Sequence, residues 1–148
     1  MENNSYTLLL ADDDIDDCLF FKDALEELPI SSTLTIVNDG VELMELLTKK
    51  TSMLPHAIFL DLNMPRKTGV ECLLEIKKNQ KLNQLPIIIL STSFDHAVVN
   101  SLYDRGATFY IQKPGEFSKL KKVIHEAITF TFQKDFTRRE KEKFVIQG

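Results

Sequence analysis

Basic residues are outnumbered in this chain: 18 Lys and Arg face 22 Asp and Glu, for a net charge of -4. Binding nucleic acid without sequence preference needs a basic field, so that class is disfavoured. No apolar run approaches the roughly 20 residues of a membrane span, and Met1-Glu2-Asn3-Asn4-Ser5 lacks the basic and apolar regions of a signal peptide. Cysteine is scarce. Cys18 and Cys72 stand far apart with no paired spacing, which predicts reduced thiols packed as small hydrophobes. His56, His96 and His125 form no ligand spacing. No repeat, low-complexity tract or linker divides the 148 residues, so one soluble, cytoplasmic domain is expected. Its 43% hydrophobic content is enough to fill a real core.

Also missing is a glycine-rich turn after the first apolar run, where a nucleotide-binding protein would expose a helix N-terminus to phosphate. Five acidic residues occupy that place: Asp12, Asp13, Asp14, Asp16 and Asp17, directly after Leu8-Leu9-Leu10-Ala11. Like charges packed together are unfavourable unless a cation joins them. The first inference is a metal site for a hard cation that prefers oxygen ligands. Asp14, Asp16 and Asp17 have a simpler reading as helix caps and dipole partners.

Short apolar runs at 6–11, 34–37, 57–60, 87–90 and 108–111 read as buried strands. Between them lie helical spacings: Cys18, Phe21, Leu25 and Leu28, ended by Pro29; Val41, Met44 and Leu47; Val70, Leu73, Leu74 and Ile76; Val98, Val99 and Leu102, closed near Gly106. A fifth helix begins near Glu116. Strands that are unbroken apolar runs are buried on both faces, as in a parallel sheet. Strict alternation with helices predicts a doubly wound α/β domain with right-handed crossovers.

Polar residues fall at the strand ends. Asp12 and Asp13 follow strand one, Asp61 strand three, Ser91 strand four and Lys113 strand five. In a parallel sheet all carboxyl ends lie on one edge, so residues about fifty positions apart meet in one crevice. Three carboxylates there balance against one divalent cation and one lysine.

This constellation resembles the receiver domain of two-component response regulators. The resemblance rests on Asp12-Asp13, on Asp61 within Leu60-Asp61-Leu62-Asn63-Met64-Pro65, on Ser91, and on Lys113-Pro114, in the right order on the right elements. It covers residues 5–130 as a receiver domain and leaves 131–148 as a C-terminal extension. It implies a flavodoxin-like five-stranded sheet of order 2-1-3-4-5, with helices on both faces. It further implies that Asp61 is the phosphoacceptor, taking a phosphoryl group from a sensor histidine kinase or histidine phosphotransfer protein. By the same resemblance Mg²⁺ is held by Asp12, Asp13, Asp61 and the Asn63 carbonyl. Ser91 and Lys113 bind the phosphoryl oxygens, and Tyr110 is the aromatic switch. Asn63, Thr92 and Ser93 stand where such domains tune phosphoryl lifetime. The Lys113-Pro114 bond is implied to be cis. The output is a changed surface of helix four, strand five and helix five, read by a downstream protein target. The loop after strand three and residues 77–85 resemble small regulators that work with phytochrome-type or other sensor kinases.

Other functions are open at this point. A phosphatase of the haloacid dehalogenase type also uses a strand-end Asp, but wants a second Asp two positions on; here that residue is Asn63. A flavin-binding flavodoxin is disfavoured by the acidic first loop. A receiver-like module that is never phosphorylated usually lacks the acceptor or the lysine, and both are present. In the tail, Leu120, Ile124, Ile128, Phe132 and Phe136 recur at a spacing of four, and residues 134–143 carry five basic and three acidic residues. Helix five is therefore expected to run on. Its aromatic stripe predicts either a homodimer contact or packing on its own domain with a frayed end. No DNA-binding or enzymatic output domain is expected after residue 130.

Overall fold

The computed structural model describes residues 5–49, 53–133 and 143–147. Strands β1 (Ser5–Ala11), β2 (Ser31–Val37), β3 (Ala57–Asp61), β4 (Ile87–Ser91) and β5 (Phe109–Gln112) alternate with helices α1 (Ile15–Glu26), α2 (Gly40–Thr48), α3 (Gly69–Lys78), α4 (His96–Asp104) and α5 (Phe117–Thr131). A sixth strand, β6 (Val145–Ile146), follows α5. The sheet order is β2-β1-β3-β4-β5-β6 and every pairing is parallel. The expected five-stranded order is present, extended by one strand at its β5 edge.

The pleat sends alternate residues to opposite faces. Leu9, Ile58, Leu60, Ile87 and Ile89 meet residues of α2, α3 and α4. Leu8, Leu10, Phe59, Ile88 and Leu90 meet α1 and α5. Strands β3 and β4 are buried along their whole length, which explains their unbroken apolar runs. Each fully buried Leu or Ile stabilises the fold by about 1.5–3 kcal/mol.

Local chemistry sets the element ends. Asp14 caps α1, its side chain accepting from the Asp17 backbone N–H. Helix α1 stops at Glu26, before Leu28, because a residue preceding proline is pushed out of the helical region. Strand β2 starts at Ser31, earlier than its apolar residues suggest. Ser31 and Ser32 pair with Ser5 and Tyr6, and an edge strand with water on one side needs no apolar side chain to pair its backbone.

Helix α5 ends at Thr131, with Phe132 as its C-cap; the extension expected through Phe136 lies outside the described residues. The described tail aromatics pack on their own domain. Phe132 stacks on Tyr6 at 4.3 Å between ring centroids, and Phe144 is 1% exposed and meets Tyr103 edge-on. The chain after α5 thus returns to the sheet, with the Tyr110 backbone N–H donating to the Phe144 carbonyl at 3.1 Å. Cys18 and Cys72 are both free and buried. No helix among the described residues is long and apolar enough to cross a membrane.

Candidate functional site

The carboxyl ends of β1, β3, β4 and β5 converge on one crevice. Asp12 is locked from several sides. Its backbone N–H donates to the Val37 carbonyl at 3.0 Å. Its own carbonyl accepts from the Asn38 amide at 3.1 Å and from the Cys18 thiol at 3.4 Å. Its Oδ1 accepts from the Asp14 backbone N–H at 3.0 Å. Asp61 is the last residue of β3, and only 6% of it is exposed. Carboxylate oxygens of Asp12, Asp13 and Asp61 lie within 4.8 Å of one another, Asp13 being the exposed member. Three hard oxygen donors at that spacing suit a divalent cation such as Mg²⁺.

Lys113 supplies the opposing charge. Its backbone N–H donates to the Ser91 carbonyl at 2.8 Å, tying the ends of β4 and β5 together. Its Nζ lies 2.8 Å from Asp12 Oδ2, 2.9 Å from Asp17 Oδ2 and 3.8 Å from Asp61 Oδ2. The expected cis Lys113-Pro114 bond is not found: among the described residues every peptide bond is trans. Trans is the favoured isomer even before proline, by about 0.5–1 kcal/mol, and the ammonium reaches the carboxylates from it.

Electrostatics follow from burial. Burial pushes the Asp61 carboxyl up to about 7; Lys113 and the Asn63 backbone N–H oppose the rise, and Asp12 adds to it. Burial works against the charge on Lys113, but hydrogen bonds to Asp12 and Asp17 and the charges of Asp61 and Asp12 outweigh it and raise its pKa. Burial likewise pushes the Cys18 thiol up to about 11, assisted by Asp12, so this thiol beside the site stays neutral.

Ser91 is completely buried at the end of β4, its hydroxyl 3.2 Å from that of Ser93. The Ser93 backbone N–H donates to Ser91 Oγ at 3.3 Å. Tyr110 points inward at 1% exposure, and its hydroxyl donates to the Ser93 carbonyl. One hydrogen-bonded chain therefore joins Ser91, Ser93 and Tyr110. Asn63, Thr92 and Ser93 are exposed around the mouth.

Of the residues expected at the site, Asp12, Asp13, Asp61 and Lys113 stand together, with Ser91 on the neighbouring strand end. The sequence marks Asp17 only as a helix cap or dipole partner. Yet it bonds the lysine, while Asp14 does the capping. Its signal was its place one turn into α1: helical side chains tilt toward the N-terminus, here toward the strand ends.

Known proteins share this fold. The model of the response regulator receiver domain matches residues 8–125. Response regulator Rcp1 of Synechocystis sp. is 31% identical over 132 residues, 86% of this chain and 90% of that protein. The crystal structure of Mn²⁺-bound Rcp1 superposes with a TM-score of 0.78 at 29% identity, covering 91% of this chain and 99% of that one. The phosphorylated cyanobacterial phytochrome response regulator RcpA gives 0.80 at 29% identity, covering 88% and 96%. With its strand-end acids and lysine on this sheet and the family model spanning most of its length, the chain belongs to the response regulator receiver domains of two-component signalling.

Proposed function

We propose that this chain works as a single-domain response regulator whose phosphoacceptor is Asp61. The observation that carries the reading is the meeting of Asp12, Asp13 and Asp61 within 4.8 Å, with the Lys113 ammonium beside them. An Asp61 oxygen attacks the phosphorus of a phosphohistidine on a sensor kinase or phosphotransfer protein. The new O–P bond forms as the P–N bond breaks, and the imidazole nitrogen keeps that bond's electron pair. Such transfers depend mainly on positioning and charge neutralisation. Asp12, Asp13, Asp61 and the Asn63 carbonyl would hold Mg²⁺, which when bound neutralises phosphoryl oxygens. The Mn²⁺-bound Rcp1 and phosphorylated RcpA structures support both halves of this reading.

Lys113 and Ser91 receive the phosphoryl oxygens, one through its ammonium and one through its hydroxyl. The Ser91–Ser93–Tyr110 chain gives the new charge a route to β5. A shift of Ser91 toward the phosphoryl group pulls on Ser93, whose carbonyl holds the Tyr110 hydroxyl. The α4–β5–α5 surface changes in response, a two-state element biased by a local charge event. Exposed Asn63, Thr92 and Ser93 border the path of an attacking water and set the phosphoryl lifetime. Ile15 and Leu19, 71% and 52% exposed at the start of α1, offer the donor protein an apolar foothold beside the acids. Dimerisation through α5 and the extension has weaker support, because Phe132 and Phe144 are consumed within the chain.

Incubation with Mg²⁺ and acetyl phosphate, followed by intact-mass measurement, tests the reading. One added phosphoryl group is expected, lost in Asp61→Ala and with chelator. A wild-type protein that binds Mg²⁺ yet stays unmodified would overturn it.

A further inference from the structure

We infer that Asp17 is a positioning residue that competes with the phosphoryl group for Lys113, and so restrains acquisition of the active state. The inference rests on the phosphoacceptor reading of Asp61. An ammonium has three N–H donors. Two of them are committed here, to Asp12 at 2.8 Å and to Asp17 at 2.9 Å, whereas Asp61 stands at 3.8 Å, beyond hydrogen-bond reach. Lys113 is thus drawn toward α1 and away from the acceptor.

The two carboxylates that hold it differ in kind. The Asp12 side chain is 2% exposed, and its other oxygen is fixed by the Asp14 backbone N–H. Buried there, it needs a cation beside it throughout, the lysine or the divalent ion it would help to hold. The Asp17 side chain is 39% exposed, so water can solvate it when the lysine departs. When a phosphoryl group on Asp61 claims the ammonium, Asp17 is therefore the partner given up. Helix capping does not account for the Asp17 carboxylate, since Asp14 holds that role. Among the described residues its hydrogen-bond partner is Lys113. Its placement at 2.9 Å from the lysine stabilises the unphosphorylated arrangement over the phosphorylated one.

Asp17→Asn keeps the shape and removes the charge. The probe is beryllofluoride, a phosphoryl mimic that binds without turnover, titrated at a Mg²⁺ concentration saturating each variant. The Kd is expected to fall about threefold to fivefold in Asp17→Asn, the scale of a partly exposed ion pair. In a Lys113→Ala background the same substitution should change Kd by less than about twofold, because the competitor then has nothing to compete for. A purely structural role would shift both backgrounds alike. An Asp17→Asn Kd unchanged or raised, or an equal fall without the lysine, overturns the inference and leaves the function of Asp61 standing. Wild-type protein that fails to bind beryllofluoride, or binds it equally well as Asp61→Asn, overturns the phosphoacceptor reading itself and this inference with it.

Discussion

Asp61 meets two opposed demands. In its proposed role as nucleophile it must be ionised, yet the carboxyl is 6% exposed and burial pushes its pKa up to about 7. The metal-free chain therefore pays for an ionised Asp61 in stability. An unfolded Asp releases its proton near pH 3.8, and this folded one near 7. Between those values the folded state holds the extra proton, so raising the pH through the window removes stability. Asp61→Asn should stabilise the metal-free protein at pH 8 by roughly 1–3 kcal/mol, and the gain should vanish near pH 4. Urea denaturation of both forms across that range is the measurement; a gain independent of pH would contradict the assignment. In the proposed site Mg²⁺ and the proton compete for the same carboxylate, so Mg²⁺ affinity should weaken as the pH falls below about 7, which a calorimetric titration would read.

Among elements, the junction of β3 with α3 fixes the backbone at Asp61, the proposed acceptor. Helix α3 begins at Gly69, whose backbone N–H donates to the Leu62 carbonyl at 2.9 Å. A Cβ at Gly69 would overlap the Asp61 carbonyl oxygen, so glycine is what allows the helix to start against the strand end. Thr68 and Glu71 close a capping box over the same turn, satisfying two backbone N–H groups. Gly69→Ala should destabilise the fold by about 1–3 kcal/mol and slow phosphorylation by acetyl phosphate, because the backbone that must move carries Asp61. Thermal melts together with the mass assay would show both effects; normal phosphorylation with full stability would refute the close-contact account. A sequence read for spacing signals a glycine near a helix start. It does not signal that the atom in the way belongs to Asp61.

At the scale of the molecule, the returning tail alters the edge where Tyr110 lies. Strand β6 pairs with β5, and Phe144, 1% exposed, packs on Tyr103. Phe144→Ala should cost about 3–5 kcal/mol in urea denaturation, where a frayed tail would cost nothing. A two-residue strand is too short to show periodicity, so it was not legible in the chain; only the open edge of β5 makes Val145 and Ile146 a strand. By contrast, the five longer strands, the helices between them, and the acids and lysine at strand ends were readable in advance. Apolar runs and helical spacing are local, and a parallel sheet sends every carboxyl end to one side. Tertiary structure alone decided which carboxylates hold Lys113 and that the tail adds a strand to the sheet. Those outcomes depend on distances between groups as many as 101 positions apart, set by packing of whole layers rather than by any neighbour along the chain.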